Sequence, residues 1–196
     1  SCRMKIDTKN LDEMIDKFVA PAGKKISLQK DFATAIKLPD VSKEELKSAL
    51  EAGKALLAKE QDRLYASRSH GLLVVIQAMD AAGKDSTIKH VMSGVNPQGC
   101  KVVTFKTPSA EELSHDFLWR VHQKAPAKGQ IGIFNRSHYE DVLITRVHGW
   151  VSDKVVTRRF NQIKEFEELL AENGTAILKF FLHISKNEQK ARLTSI

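Results

Sequence analysis

The sequence predicts an α/β fold: a parallel sheet with helices on both faces, in three layers. Three observations carry the expectation. Short apolar segments alternate along the chain with stretches of helical periodicity. The first of them, L-L-V-V-I at 72–76, is continuously apolar, as a strand buried on both faces must be. The chain has 196 residues, 42% hydrophobic and 28% charged, enough for the core of one such domain.

Each element has a local reason. Leu11, Met14, Ile15 and Phe18 recur at helical spacing, and Pro21 and Gly23 would end a short helix there. Residues 24–39 read as an irregular arm. Ser42 and Glu45 form a capping-box pattern. Leu46, Ala49, Leu50, Leu56, Leu57 and Leu64 then mark the packing face of a helix over about 42–68. Residues 1–69 are thus an N-terminal arm and packing helix, and 70–196 the core, within one domain overall. After the strand at 72–76 a helix is expected over about 83–93, a turn at Asn96-Pro97-Gln98-Gly99 and a second strand at 101–105. Ser109, with Glu111 and Glu112 behind it, signals a helix running to about Gln123. A loop at 125–129 leads to a third strand at 131–134 and a helix from about Ser137 to His148. Ser152 caps a helix to about Glu172, with Val156, Phe160, Ile163 and Leu170 facing inward, and Asn173-Gly174 ends it. Residues 175–184 form a fourth strand, and Ser185 starts a last helix.

Two loops at the carboxyl edge of this sheet, where ligands of parallel sheets bind, carry the chemistry. The first strand breaks at Gln77 into small residues, then Gly83-Lys84, then a helix. That is the layout of a phosphate-binding loop: small residues let backbone N–H groups approach phosphate oxygens, the helix presents its positive end, and the lysine adds a charge. Ala81, Ala82, Gly83, Lys84, Asp85 and Ser86 are the candidate phosphate-binding residues. The pattern departs from G-x-x-x-x-G-K-[ST] in having Ala78 at the first glycine, Asp85 after the lysine, and Asp80 inside the loop. The alternative is a plain strand–turn–helix with a surface lysine. The second loop begins where the third strand ends in Asn135, at a place where many phosphate-loop enzymes carry an aspartate that helps hold magnesium. Arg136 follows, then Glu140 and Asp141, which could equally serve only to favour a helix N-terminus.

The net charge is +7, which favours an anionic partner such as a nucleotide, a polyphosphate, a nucleic acid or an acidic membrane surface. Between Asp116 and Lys164 nine basic residues (Arg120, Lys124, Lys128, Arg136, Arg146, Lys154, Arg158, Arg159, Lys164) face four acids. Most single lysines on such a face are merely solvated, but Arg136 and Arg146, near the proposed site, are expected to contact phosphates with their planar forks. Cys2 and Cys100 have neither zinc-site nor disulfide spacing, consistent with a reduced, cytoplasmic setting. No apolar run reaches ~18 residues, so no membrane span is expected. The histidines make no metal motif, no Ser-His-Asp framework is recognisable, and aromatic platforms for single-stranded nucleic acid are absent from the pattern.

Q-A-M-D-A-A-G-K-D-S-T at 77–87, F-K-T-P-S at 105–109, H-D-F-L-W-R at 115–120, G-I-F-N-R-S-H-Y-E-D-V-L-I-T-R-V-H-G at 132–149 and L-H-I-S-K-N-E-Q-K-A-R-L at 182–193 together resemble polyphosphate kinase family 2, with N-R-S-H-Y-E-D similar to its class III members. The resemblance implies a thymidylate-kinase-like phosphate-loop fold. It also implies magnesium-dependent phosphoryl transfer between inorganic polyphosphate and AMP or ADP, and a homodimer or homotetramer. By position, Asp80 would hold magnesium and position or deprotonate the attacking phosphate. Lys84 and Arg136 would hold the transferring phosphate, and Asn135, Glu140 and Asp141 would lie on the nucleotide or metal side. The family continues into an arginine-bearing lid, which is expected to be missing from a chain ending Thr194-Ser195-Ile196. The competing expectations are an ATP-dependent nucleoside monophosphate kinase and an inactive polyanion-binding module.

Overall fold

The computed structural model describes residues 15–34, 42–147 and 151–195; the side chains of 144–147 are outside the described set. In chain order the elements are α1 (Leu28–Asp31), α2 (Lys43–Ser67), β1 (Gly71–Ala78), α3 (Lys84–Val91), β2 (Cys100–Val103), α4 (Ala110–Ser114), α5 (Trp119–His122), β3 (Ile131–Asn135), α6 (Glu140–Val147), α7 (Asp153–Glu172), β4 (Thr175–Leu182) and α8 (Lys186–Thr194). Residues 54–182 form one compact unit, and the described residues outside it belong to a second. In the smaller grouping Ser42 and Glu45 close the expected capping box at the start of α2: Ser42 N donates to Glu45 Oε2 at 2.8 Å and Glu45 N to Ser42 Oγ at 3.2 Å. Ser185 caps α8 by accepting from Glu188 N at 3.1 Å. Most of the expected N-terminal helix, Leu11 and Met14 included, lies outside the described residues.

The larger unit is built on four parallel strands in the order β2-β3-β1-β4. The expected α/β class is therefore the observed one. β1 is central, and alternation of its side chains divides the core into two layers. Leu73 and Val75 point to one face with Phe134 of β3, where Phe105, Val121, Phe166 and Leu170 cover them. Leu72, Val74 and Ile76 point to the other with Ile131 and Ile133, under Leu64 of α2 and Ile88 of α3. A continuously apolar β1 is what two covered faces require, and each such side chain fully buried contributes roughly 1.5–3 kcal/mol.

Three elements depart from the expectation; on α7, Phe160 is exposed instead of facing inward, and Ser152 stands at the N-cap without a side-chain cap hydrogen bond. The helix expected from Ser109 to about Gln123 is two short ones. Ser109 and Glu112 form a full capping box at α4. Asp116 then takes over: its carboxylate accepts from the backbone N–H groups of Leu118 and Trp119, at 3.0 and 3.1 Å, and starts α5 afresh. Asp116 is thus a cap, and Phe117 lies between helices, packed against Val142, Val156 and Ile163. On α2, Leu46 and Leu56 are exposed, whereas Gln61 is buried. Its amide brackets the turn after α3, accepting from Asn96 N and donating to Asn96 O, both at 2.8 Å. Both halves of the amide are satisfied, which is what lets it stay buried.

Candidate phosphate-binding site

β1 and β3 run in register, Ile76 beside Asn135, so the chain leaves both strands at the same level. The two loops singled out from the sequence therefore start side by side. After β1, Ala81 has φ +60° and Gly83 φ +92°. These left-handed residues fold the loop tightly enough for Ala82 N to donate to Met79 O at 3.2 Å. Lys84 opens α3, and its Nζ turns back to the Ala78 carbonyl at 3.4 Å, so the ammonium lies over the mouth of the loop. The first amides of an α-helix have no intrahelical partner, and those of α3 follow this lysine directly. Asp80 is exposed on the loop, Ala81 and Lys84 are half-buried, Ala82 is buried, and Asp85 and Ser86 are exposed in the first turn of α3.

Two side-chain bridges tie this loop to the one after β3. Asn135 Nδ2 donates to Asp85 Oδ1 at 2.5 Å. Gln77 Nε2 donates to Ser137 Oγ. Asn135 is buried, and its Oδ1 has no hydrogen-bond partner among the described residues. Arg136 comes next, exposed, with φ +72°. Its carbonyl accepts from Phe105 N at 3.3 Å, which links the F-K-T-P-S segment to the same edge. A non-glycine residue in this conformation costs about 1–3 kcal/mol and persists only where its surroundings hold it.

The holding is visible beneath it. Ser137 and His138 are fully buried. His138 Nε2 lies 3.2 Å from Glu167 Oε1, Tyr139 Oη donates to the same oxygen at 2.9 Å, and Lys179 Nζ donates to Glu167 Oε2 at 2.6 Å. Burial pushes the Glu167 carboxyl up, but the donors His138, Lys179 and Tyr139 and the lysine charge outweigh it, leaving the pKa below its ordinary value. Lys179 ends above its ordinary value because the bonds and charges of Glu167 and Tyr139 outweigh its own desolvation. Burial, then the Glu167 charge, raises the Tyr139 phenol. The ion pair is therefore charged at neutral pH.

The acidic pair after Arg136 divides. Glu140 opens α6 and is half-buried. Asp141 faces Arg120, whose Nη2 donates to both its oxygens at 3.1 Å, while Arg120 Nη1 donates to the Lys106 carbonyl at 2.8 Å. Arg120 also lies 3.5 Å from Glu112 and 5.4 Å from the centre of the Phe105 ring. Arg159 donates to the Asp141 carbonyl at 2.8 Å and lies over Phe117. Two of the nine basic residues counted as a surface cluster thus act inside the fold. Arg146 belongs to α6, but its side chain is outside the described set.

Sequence reasoning missed Gln77, Arg120, Glu167 and Lys179. Two of them left a signal. Glu167 falls on the inward helical series 156, 163, 167, 170, and Lys179 is a charge inside an apolar strand, so each called for a partner.

A parallel α/β sheet with a glycine-lysine loop at the end of one strand and a left-handed arginine turn at the end of its neighbour has the architecture of the P-loop kinase fold. Comparison with known proteins narrows the class. The sequence model of the family Polyphosphate kinase 2 (PPK2) matches residues 40–196, and the chain belongs to that family. It is 56% identical over 149 residues to the AMP/ADP-polyphosphate phosphotransferase of Meiothermus ruber, covering 74% of this chain and 56% of that protein. It is 46% identical over 201 residues to the ADP-polyphosphate phosphotransferase of Rhodopseudomonas palustris, covering 96% and 67%. The crystal structure of polyphosphate kinase 2 from Arthrobacter aurescens TC1 superposes with a TM-score of 0.76 at 43% identity, covering 83% of this chain and 62% of that one. The chain thus spans 56 to 67% of the length of these relatives.

Proposed function

We propose that the protein transfers a phosphoryl group between inorganic polyphosphate and an adenine nucleotide, with AMP and ADP as acceptors. In the forward direction the terminal phosphoanhydride P–O bond of the polyphosphate breaks, and a P–O bond forms to a phosphate oxygen of the nucleotide. The polyphosphate is left one phosphate shorter. The observation that carries the reading is the pairing of the Lys84 loop with the Arg136 turn at the common end of β1 and β3. Such transfer needs in-line positioning and charge neutralisation rather than a covalent group. Backbone N–H groups around Gly83 and the ammonium of Lys84 supply part of this, and Arg136 offers a two-pronged contact to the moving phosphate. The names of the relatives support the substrates.

The residues present fit magnesium. Asp80 offers an exposed carboxylate, and Asn135 Oδ1 is a buried oxygen without a partner among the described residues. No cluster of three potential metal-binding side chains occurs among the described residues, which suits an ion held by one or two protein oxygens together with substrate phosphates. Asp80 and Asn135 would hold it, and it would neutralise charge on the phosphates. Asp80 would orient the attacking phosphate oxygen; Glu140 would lie on the nucleotide or metal side. We place the protein in the cytoplasm as a homodimer or homotetramer, on its cysteine usage and its family.

The test is a donor–acceptor matrix on full-length protein: polyphosphate or ATP against AMP, ADP, GMP and GDP, with magnesium. Polyphosphate-dependent formation of ADP and ATP is expected, with loss of at least about a hundredfold in Asp80→Asn. Transfer from ATP but not polyphosphate would replace this reading with an ATP-dependent kinase. Polyphosphate binding without transfer would replace it with a polyanion-binding module.

A further inference from the structure

We infer that Glu167 of α7, which belongs to none of the family-like segments, is a positioning residue for phosphoryl transfer, acting through the turn that carries Arg136. The inference rests on the proposed function. Three observations lead to it. Arg136 is exposed, yet its backbone occupies the left-handed region at φ +72°, where a non-glycine residue does not stay unaided. The two residues that follow it, Ser137 and His138, are fully buried, so the turn is set from below. What lies below is a carboxylate with three donors: His138 at 3.2 Å and Tyr139 at 2.9 Å on one oxygen, Lys179 at 2.6 Å on the other.

The arrangement does more than fill space. A carboxylate has no reason to occupy the inward face of α7 unless its oxygens are needed there, since an apolar residue of that size would stabilise the core at no desolvation cost. Lys179 is half-exposed on β4 and balances the charge. The two remaining donors come from the turn itself, at successive positions. A single group therefore fixes two consecutive side chains just after the strained residue, while the Gln77–Ser137 contact fixes the one between. Together they leave Arg136 one backbone path. In this scheme Glu167 acts through the turn and touches no reacting atom. Its contribution is that the guanidinium is already aimed when the polyphosphate arrives, which is where a small displacement costs most.

The measurement is a double-mutant cycle on full-length protein, with kcat and both KM values for polyphosphate-dependent phosphorylation of ADP and a melting curve for each variant. Glu167→Gln should lower kcat roughly ten- to a hundredfold while the KM for ADP stays within about twofold. In the Arg136→Ala background the same substitution should lower kcat by less than about twofold, because there is no longer a guanidinium to aim. The melting temperature should fall equally in both backgrounds. Tyr139→Phe, which removes the bond to Glu167 and the one from Lys179 but no charge, should show the same dependence on Arg136 in milder form and decides the matter if Glu167→Gln does not fold. Equal losses of kcat in the two backgrounds, or an unchanged kcat in either folded variant, would overturn the inference. If the wild type transfers nothing from polyphosphate, the functional reading fails first; if it does and Arg136→Ala is impaired, only the positioning role is at stake.

Discussion

Asp141 is the residue on which sequence and geometry pull apart, and replacing it separates them. Its position in the N-R-S-H-Y-E-D segment suggests a contact to nucleotide or metal, but its oxygens both meet Arg120 Nη2 at 3.1 Å. The arginine side chain is 7% exposed and the carboxylate 16%. Asp141→Asn keeps the shape and removes the charge, so the loss is that of a charge-assisted contact, about 1.5–3 kcal/mol. Arg120→Met removes more. It leaves a nearly buried carboxylate and the Lys106 carbonyl without their donor, and forfeits the contact with Phe105, for about 3–5 kcal/mol. At roughly 2–4 °C per kcal/mol for a chain of this size, the melting temperature should fall by about 3–12 °C in the first case and about 6–20 °C in the second. The double variant should lose clearly less than the two together, since the two residues share one contact that each single change already removes. Calorimetry at neutral pH gives these shifts, and nucleotide KM values at a temperature where all variants are folded complete the test. An Asp141→Asn protein that melts with the wild type but whose nucleotide KM rises more than about tenfold would refute the structural assignment.

Gly83→Ala should cost about 1–2 kcal/mol, because φ is +92° there, and should weaken polyphosphate binding along with stability; a melting curve and a polyphosphate titration check both. Asn135→Asp would set a second carboxylate against Asp85 across the present 2.5 Å contact, so one of the two must keep a proton and its folded pKa must rise. A group with a raised folded pKa binds more protons folded than unfolded, so its penalty grows as pH rises from ~4 through the folded value. The variant should therefore trail the wild type more at pH ~7.5 than at pH ~5, and adding Asp85→Ser should remove most of that difference; a penalty independent of pH would count against the contact.

Much of the fold was legible because its signals are local and redundant. The apolar run of β1, the box formed by Ser42 and Glu45 and the caps at Ser109 and Ser185 each state their element in a few residues, and the structure has all of them. The helix expected through 115–118 fails for a reason of the same kind but opposite sense. Asp116 can cap as well as continue a helix, and only the placement of Phe117 against Val142 and Val156 decides which. The site divides likewise. A glycine-lysine loop is written in sequence order, so Gly83 and Lys84 could be found. Arg120, Glu167 and Lys179 owe their roles to partners 21, 29 and 40 positions away, at Asp141, His138 and Tyr139 respectively, and a linear pattern holds no record of such pairs.

Asp85 and Asn135 show how far such pairing can reorganise a motif. Read along the chain, they are two separate departures from a common phosphate-loop pattern: an acid where a hydroxyl is usual, and an amide where an acid is usual. In space they are one contact, with the amide donating and the acid accepting. A hydroxyl with an aspartate and an aspartate with an asparagine bridge the same gap, and each supplies one donor and one carboxylate. Exchanging a single member would leave two carboxylates, or none, between the loop and the strand end. The two departures therefore condition each other. They also move the carboxylate from the strand to the first turn of α3, beside Lys84 and close to the helix N-terminus that favours negative charge. At the strand end they leave a buried amide oxygen with no partner among the described residues. An unpaired oxygen there costs stability, so the pair that closes the gap between the two loops does so at the expense of one buried acceptor.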